Sequence, residues 1–88
     1  MHRYEMTDDG HLLGTVTYRV LDDGPPEVRE LEHTDVEPDH RGEGVGGELA
    51  AGVIALVREA GIGAVVTCEY LQSWMTKHPE ARDVMVDR

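Results

Sequence analysis

The stretch DHRGEGVGGEL, residues 39–49, constrains this chain more than any other. It sets four glycines, Gly42, Gly44, Gly46 and Gly47, between Arg41 and an apolar run. Before it, apolar residues alternate as in a strand. After it, they recur at helical spacing. The chain must therefore pass from sheet to helix across nearly bare backbone. Glycine so dense loses much freedom on folding. A flexible turn needs fewer glycines than this. The first N–H groups of a helix have no partner inside it and carry the positive end of its dipole. Backbone without Cβ atoms at that point lets an anion, such as a phosphate, approach those donors.

Around this point the rest of the chain orders itself. Residues 3–7 read as a first strand, and Asp8, Asp9 and Gly10 as a turn. Residues 11–21 are rich in β-branched and aromatic side chains, with Leu12, Val16, Tyr18 and Val20 on one face by alternation. DDGPP at residues 22–26 is a second turn, so these segments form an antiparallel meander. Residues 27–38 are charged. In a regular strand Leu31 and His33 share a face and Val36 falls on the other, so a bulge or kink is predicted between Glu32 and Asp35.

From Gly44 onward Val45, Leu49, Val53, Leu56, Val57 and Ala60 mark a helix, with Gly61 as its stop. AVVTC at residues 64–68 reads as a buried parallel strand, reached by a right-handed crossover. Residues 70–78 read as a helix with Leu71, Trp74 and Met75 on one side. Pro79 and a short helix or turn at residues 80–86 follow. The fold class expected is α/β in the α+β sense: one small domain over residues 1–88. It has a mixed twisted sheet of about four strands, a central crossover helix on one face and a C-terminal helix nearby.

The chain has 88 residues, enough for one small core. Eighteen acids against eight bases give a net charge of −10, which argues against nucleic acid and against an anionic membrane surface. The plain reading of that charge is solubility; the sharper one is a field that draws in cationic substrates such as amines. Cys68 is the only cysteine, so no internal disulfide forms, and a reduced, cytoplasmic setting fits. No run approaches the ~20 apolar residues of a membrane helix. His2, His11, His33, His40 and His78 show no paired spacing with Cys68, so no metal site is expected.

Gly42, Gly44 and Gly47 also spell G-x-G-x-x-G, with Glu69 further on as a dinucleotide fold requires. That reading fails on context: the preceding strand is charged, and the chain is short for a doubly wound sheet. Arg41-x-x-Gly44-x-Gly46 fits another pattern, the R/Q-x-x-G-x-G/A signature of the GNAT superfamily of acetyl-CoA-dependent N-acetyltransferases. HTDVEPDHRGEGVGGEL, followed by VVTCEYLQSWMTKHPEARDVM, resembles its short GNAT-like members over about residues 33–85. Two features depart from expectation: Glu43 stands inside the glycine turn, and the chain is acidic for a binder of a polyanion.

The resemblance implies that Val36, Arg41, Gly42, Glu43, Gly44, Val45, Gly46 and Gly47 hold acetyl-CoA, with Glu43 and Glu48 turned away. Arg41 has a plainer role open to it, a surface salt bridge with Asp39 or Glu43. The superfamily seats the thioester where two parallel strands splay, and a backbone N–H near Val36 would polarise its carbonyl. Lysine-like amines have a pKa near ~10.4, so a base must take a proton. His33 is the preferred base, with Glu32 and Asp35 behind it. Cys68, at the end of the second splayed strand, is either a nucleophile that accepts acetyl or a packed small apolar residue. Tyr70 is the candidate general acid, or a core residue beside Trp74. Lys77, His78 and Arg82 are candidates to meet the coenzyme's phosphate tail, or solvated charges. The expected activity is acetyl transfer to a small-molecule or protein amine, in a ternary complex or through Cys68. A coenzyme A binding module and an accessory domain are the rivals. The protein is expected as a monomer or homodimer.

Overall fold

The computed structural model describes residues 2–86; residues 1, 87 and 88 of the expected domain lie outside it. Four strands lie side by side in sequence order: β1 (His2–Asp8), β2 (His11–Asp22), β3 (Val28–Val36) and β4 (Gly63–Val66). The first three form the antiparallel meander, and β3 pairs with β4 in parallel. Helix α1 (Val45–Ala60) connects these two, and α2 (Glu69–Lys77) follows β4. A 3-10 turn at Pro38–His40 leads into the glycines, and another at Pro79–Val84 follows α2. This is the mixed α+β architecture that the sequence predicts.

Helix α1 starts where the sequence changes period. Gly44 caps it at φ 81°, a left-handed conformation in which a Cβ is strained, and Gly61 closes it at φ 70°. Its buried stripe is Val45, Leu49, Ala50, Val53, Ile54 and Val57. Leu56 and Ala60, expected on that stripe, are exposed, and Ala50 and Ile54 take their place. The stripe closes over Val16 and Leu31 of the sheet. Leu71 and Met75 of α2 and Ala81 and Val84 of the last turn complete the core. Each Leu, Ile or Val so removed from water contributes ~1.5–3 kcal/mol.

Three register shifts interrupt the sheet, one of them between Val20 and Asp22 near the end of β2. The other two decide which side chains share a face near the site. On β2, Met6 pairs with Gly14 but Thr7 pairs with Leu12, so Leu13 is the extra residue. Leu12 is thereby taken off the face of Val16, contrary to simple alternation. On β3, Thr17 pairs with His33 but Tyr18 pairs with Leu31, so Glu32 is the extra residue. The predicted bulge is there, at the first position of the predicted interval. Its consequence corrects the expected facing: Leu31 shares its face with Thr34 and Val36, and His33 turns to the other side.

Candidate active site

Beyond Leu31 the two parallel strands part. Pairing of β3 with β4 runs from Val28↔Gly63 to Leu31↔Val66 and stops. The Leu31 carbonyl accepts the N–H groups of both Thr67, at 3.1 Å, and Cys68, at 3.2 Å. The chain then turns into α2, while β3 runs on to Val36. Thr67 Oγ1 donates to Glu30 at 2.7 Å, and Arg19 grips the same carboxylate. The Thr67 bond and then the arginine hold Glu30 below the usual carboxylate range.

The open edge of β3 offers backbone donors. The Glu37 N–H donates to the Leu13 carbonyl on the β2 side, at 2.8 Å. Successive residues of an extended chain present their N–H and C=O groups to alternate sides. The N–H and C=O of Val36 therefore face away from β2, into the splay. The Val36 carbonyl accepts from Arg41 Nε on that side, at 3.3 Å.

Two recesses occupy the splay. One, of about 310 Å³, lies over the start of α1 and is walled by Val36, Arg41, Gly42, Gly44, Val45 and Gly46, with His40 at its rim. The other, of about 370 Å³, lies between β3 and the start of α2 and includes Glu32, His33, Thr34, Thr67, Cys68 and Glu69. Tyr70 lines both.

The glycine recess has the chemistry of an anion cradle. A Cβ on Gly42 or Gly44 would meet nothing within 4 Å, so the space above those residues is open. Gly46 differs: a Cβ there would overlap the Tyr70 hydroxyl and stand 2.8 Å from Cζ of that ring. The bare backbone at 46 thus admits the tyrosine as well as any ligand. Gly47 lies outside this wall, near Trp74, with the indole nitrogen 3.9 Å from where its Cβ would be. Glu48 points into a different recess, with Tyr4 and Leu49. Arg41 pairs with neither Asp39 nor Glu43; its closest carboxylate is Asp35, at 3.9 Å.

Glu43, the acid inside the turn, accepts a 2.9 Å hydrogen bond from His40 Nδ1–H. That bond, ahead of the neighbouring carboxylates of Asp39 and Glu37, raises the imidazole's pKa above its usual value. His40 was not among the expected site residues. Its three-residue spacing from Glu43, beside Arg41, is the one sequence signal that could have found it.

In the second recess His33 is exposed, on the far side of the bulge from Leu31. Cys68 is 5% exposed and packs in the core, with Sγ 3.3 Å from the Thr34 hydroxyl. It is the residue before α2, two places past the end of β4, rather than the strand's last residue. Tyr70 is 46% exposed, so it is not the core residue that its position beside Trp74 suggested. Thr34, placed beside Cys68 by the bulge, is a site residue that regular alternation hides.

The late cations lie elsewhere. His78 stacks on Trp74, with 4.1 Å between ring centroids, and donates Nδ1–H to the Trp74 carbonyl. Arg82 lines a recess with Gln72 and Met75, and the glycine recess includes none of Lys77, His78 and Arg82. Among the described residues no helix is long and apolar enough to cross a membrane.

A sequence-family model for the GCN5-related N-acetyl-transferase matches residues 3–84. Protein NATD1 of Bos taurus is 36% identical over 52 residues, a match spanning 59% of this chain and 46% of that protein. Two solved structures share the fold. A GCN5-like protein of Staphylococcus aureus aligns with TM-score 0.69 and 24% identity over 98% of this chain and 82% of its own. A ribosomal-protein-alanine N-acetyltransferase of Brucella melitensis aligns with TM-score 0.59 and 19% identity, over 96% and 60% of the two chains.

Proposed function

Because this chain belongs to the GCN5-related N-acetyl-transferase family, we propose that it transfers acetyl from acetyl-CoA to a cationic amine. One observation carries the reading: Tyr70 joins an anion cradle at the start of α1 to an acid-rimmed recess beside Cys68. The coenzyme's diphosphate lies in the first, against the amides of residues 42–46 and near Arg41. The acetyl end reaches the splay, where the Val36 N–H meets its carbonyl oxygen. The acceptor enters the second recess. Glu32 and Glu69 line it with carboxylates that attract a cation, although Arg19 also lies within the field of Glu32.

The steps follow from this placement. His33, directly or through water, takes a proton from the amine. The freed lone pair attacks the thioester carbon, and negative charge gathers on the oxygen facing the Val36 N–H. The carbon–sulfur bond breaks, Tyr70 supplies a proton to the leaving thiolate, and the second proton shed by the acylated nitrogen returns through water to the tyrosine. The burial of Cys68 and its bond to Thr34 favour packing, so direct transfer in a ternary complex is preferred over an acetyl-cysteine.

Three measurements test this. Turnover of acetyl-CoA on a panel of amines and diamines should fall at least tenfold in His33→Ala and in Tyr70→Phe, with coenzyme affinity within about threefold of wild type. Binding without turnover on any amine would leave a coenzyme-binding module. Labelled acetyl-CoA incubated with the protein alone should leave Cys68 unlabelled; label there would establish the two-step route.

A further inference from the structure

The glycine recess has a second basic side chain beside Arg41, His40, and no part of the R-x-x-G-x-G signature calls for it. We propose that His40 is a proton-linked ligand of the coenzyme's diphosphate, with Glu43 acting as the residue that orients its ring. The inference rests on the coenzyme reading above and adds to it a residue and a pH dependence.

Geometry carries it. His40 ends the Pro38–His40 turn, directly before Arg41, and lines the same recess as Gly42, Gly44 and Gly46. Its Nδ1–H is fixed on Glu43 at 2.9 Å, which leaves Nε2 as the ring nitrogen without a partner among the described residues. In the neutral ring Nε2 is a lone pair, and a lone pair repels a phosphate oxygen. Protonated, the same atom becomes an N–H donor with a positive charge behind it. Anion binding at this rim therefore takes up a proton.

The surroundings favour that proton. Glu37 and Asp39 on the turn and Glu43 in the glycine loop all stabilise the imidazolium, and the raised pKa agrees. The neighbouring cation Arg41 opposes it but is drawn toward Asp35 and the Val36 carbonyl. The positive end of the α1 dipole also opposes it, and Glu48, which would favour it, lies in another recess. From α2 only the Tyr70 hydroxyl faces this space. The pairing also accounts for an acid inside a phosphate-binding turn. The Glu43 carboxylate is turned onto His40, where its charge is offset and keeps the ring cationic.

The test uses dephospho-coenzyme A, whose diphosphate does not change charge across the imidazole range; the 3′-phosphate of coenzyme A does, with a pKa of about 6. Titration calorimetry at about pH 6 and about pH 8.5 brackets the ordinary imidazole value. Wild type should bind about five- to tenfold tighter at the lower pH. At intermediate pH, buffers of different ionisation heat should report net proton uptake. His40→Gln, which keeps a neutral donor, should bind equally at both values, near the wild-type affinity at high pH. A wild-type affinity independent of pH, or an unchanged slope in His40→Gln, would overturn the role of His40 and leave the coenzyme site standing. Absence of binding at both values, with ligand at about millimolar concentration where weak sites fill, would overturn the coenzyme reading itself.

Discussion

Gly46 sits where two demands meet, and its replacement separates them. In Gly46→Ala the new Cβ displaces the Tyr70 ring, which is half-exposed and free to swing outward. Alanine inside a helix also gains about 0.5–1 kcal/mol over glycine. Stability should therefore hold or rise slightly, while kcat/KM for acetyl-CoA falls at least about tenfold because the wall between the recesses moves. Melting temperature and steady-state kinetics on the same preparation check both halves. In a Tyr70→Ala background the further loss on adding Gly46→Ala should shrink to about threefold or less. The sequence identified Gly46 as backbone that something must approach. It did not identify the tyrosine, because that neighbour lies 24 positions along the chain on another helix. His40 was hidden for a different reason: a histidine's role depends on what fixes its ring, and here that is the one acid that looked out of place.

At the scale of elements, period and punctuation located all four strands and both helices. Alternation failed only where a residue was inserted. Apolar spacing alone revealed the bulge at Glu32, because Leu31 and Val36 cannot both face the core of a straight strand. The insertion at Leu13 left no such mark, because Leu12 and Leu13 are both apolar and either satisfies the pattern. The ends of elements depend on contacts across the chain. Arg58, near the end of α1, grips Asp83 of the last turn through two bonds, Nε at 3.0 Å and Nη2 at 2.7 Å. The arginine holds the Asp83 carboxyl below its usual range. A depressed folded pKa contributes stability above the unfolded pKa and loses it as pH falls through the folded one. The denaturation midpoint of wild type should therefore drop between about pH 5 and pH 3, and Asp83→Asn should flatten part of that drop. The variant should be less stable than wild type near neutral pH, with the gap closing in acid. A gap that stays constant with pH would assign the effect to shape rather than charge. The Glu30 carboxylate, held by Thr67 and Arg19, accounts for acid sensitivity that remains in the variant.

At the scale of the whole molecule, the two proposed substrates meet the same field with opposite signs. The chain carries a net charge of −10, and a GNAT-type reaction brings it one polyanion and one cation. A cationic amine is drawn in from a distance, whereas coenzyme A must cross a repulsive field before Arg41 and the amides of α1 can act at short range. Salt screens the long-range term more than the contacts, since the Debye length falls from about 30 Å at 0.01 M to about 8 Å at 0.15 M. Raising ionic strength over that range should therefore lower kcat/KM for a diamine by about tenfold and leave a neutral hydroxylamine-type acceptor nearly unchanged. The association rate of coenzyme A should move the other way and rise. Stopped-flow binding and steady-state rates across a salt series would measure both. If both substrates weaken together, local phosphate contacts outweigh the global charge for coenzyme A; if the diamine does not respond to salt, the acidity of the chain serves solubility alone. If they diverge, the composition that seemed to argue against a polyanion becomes the device that recruits its partner.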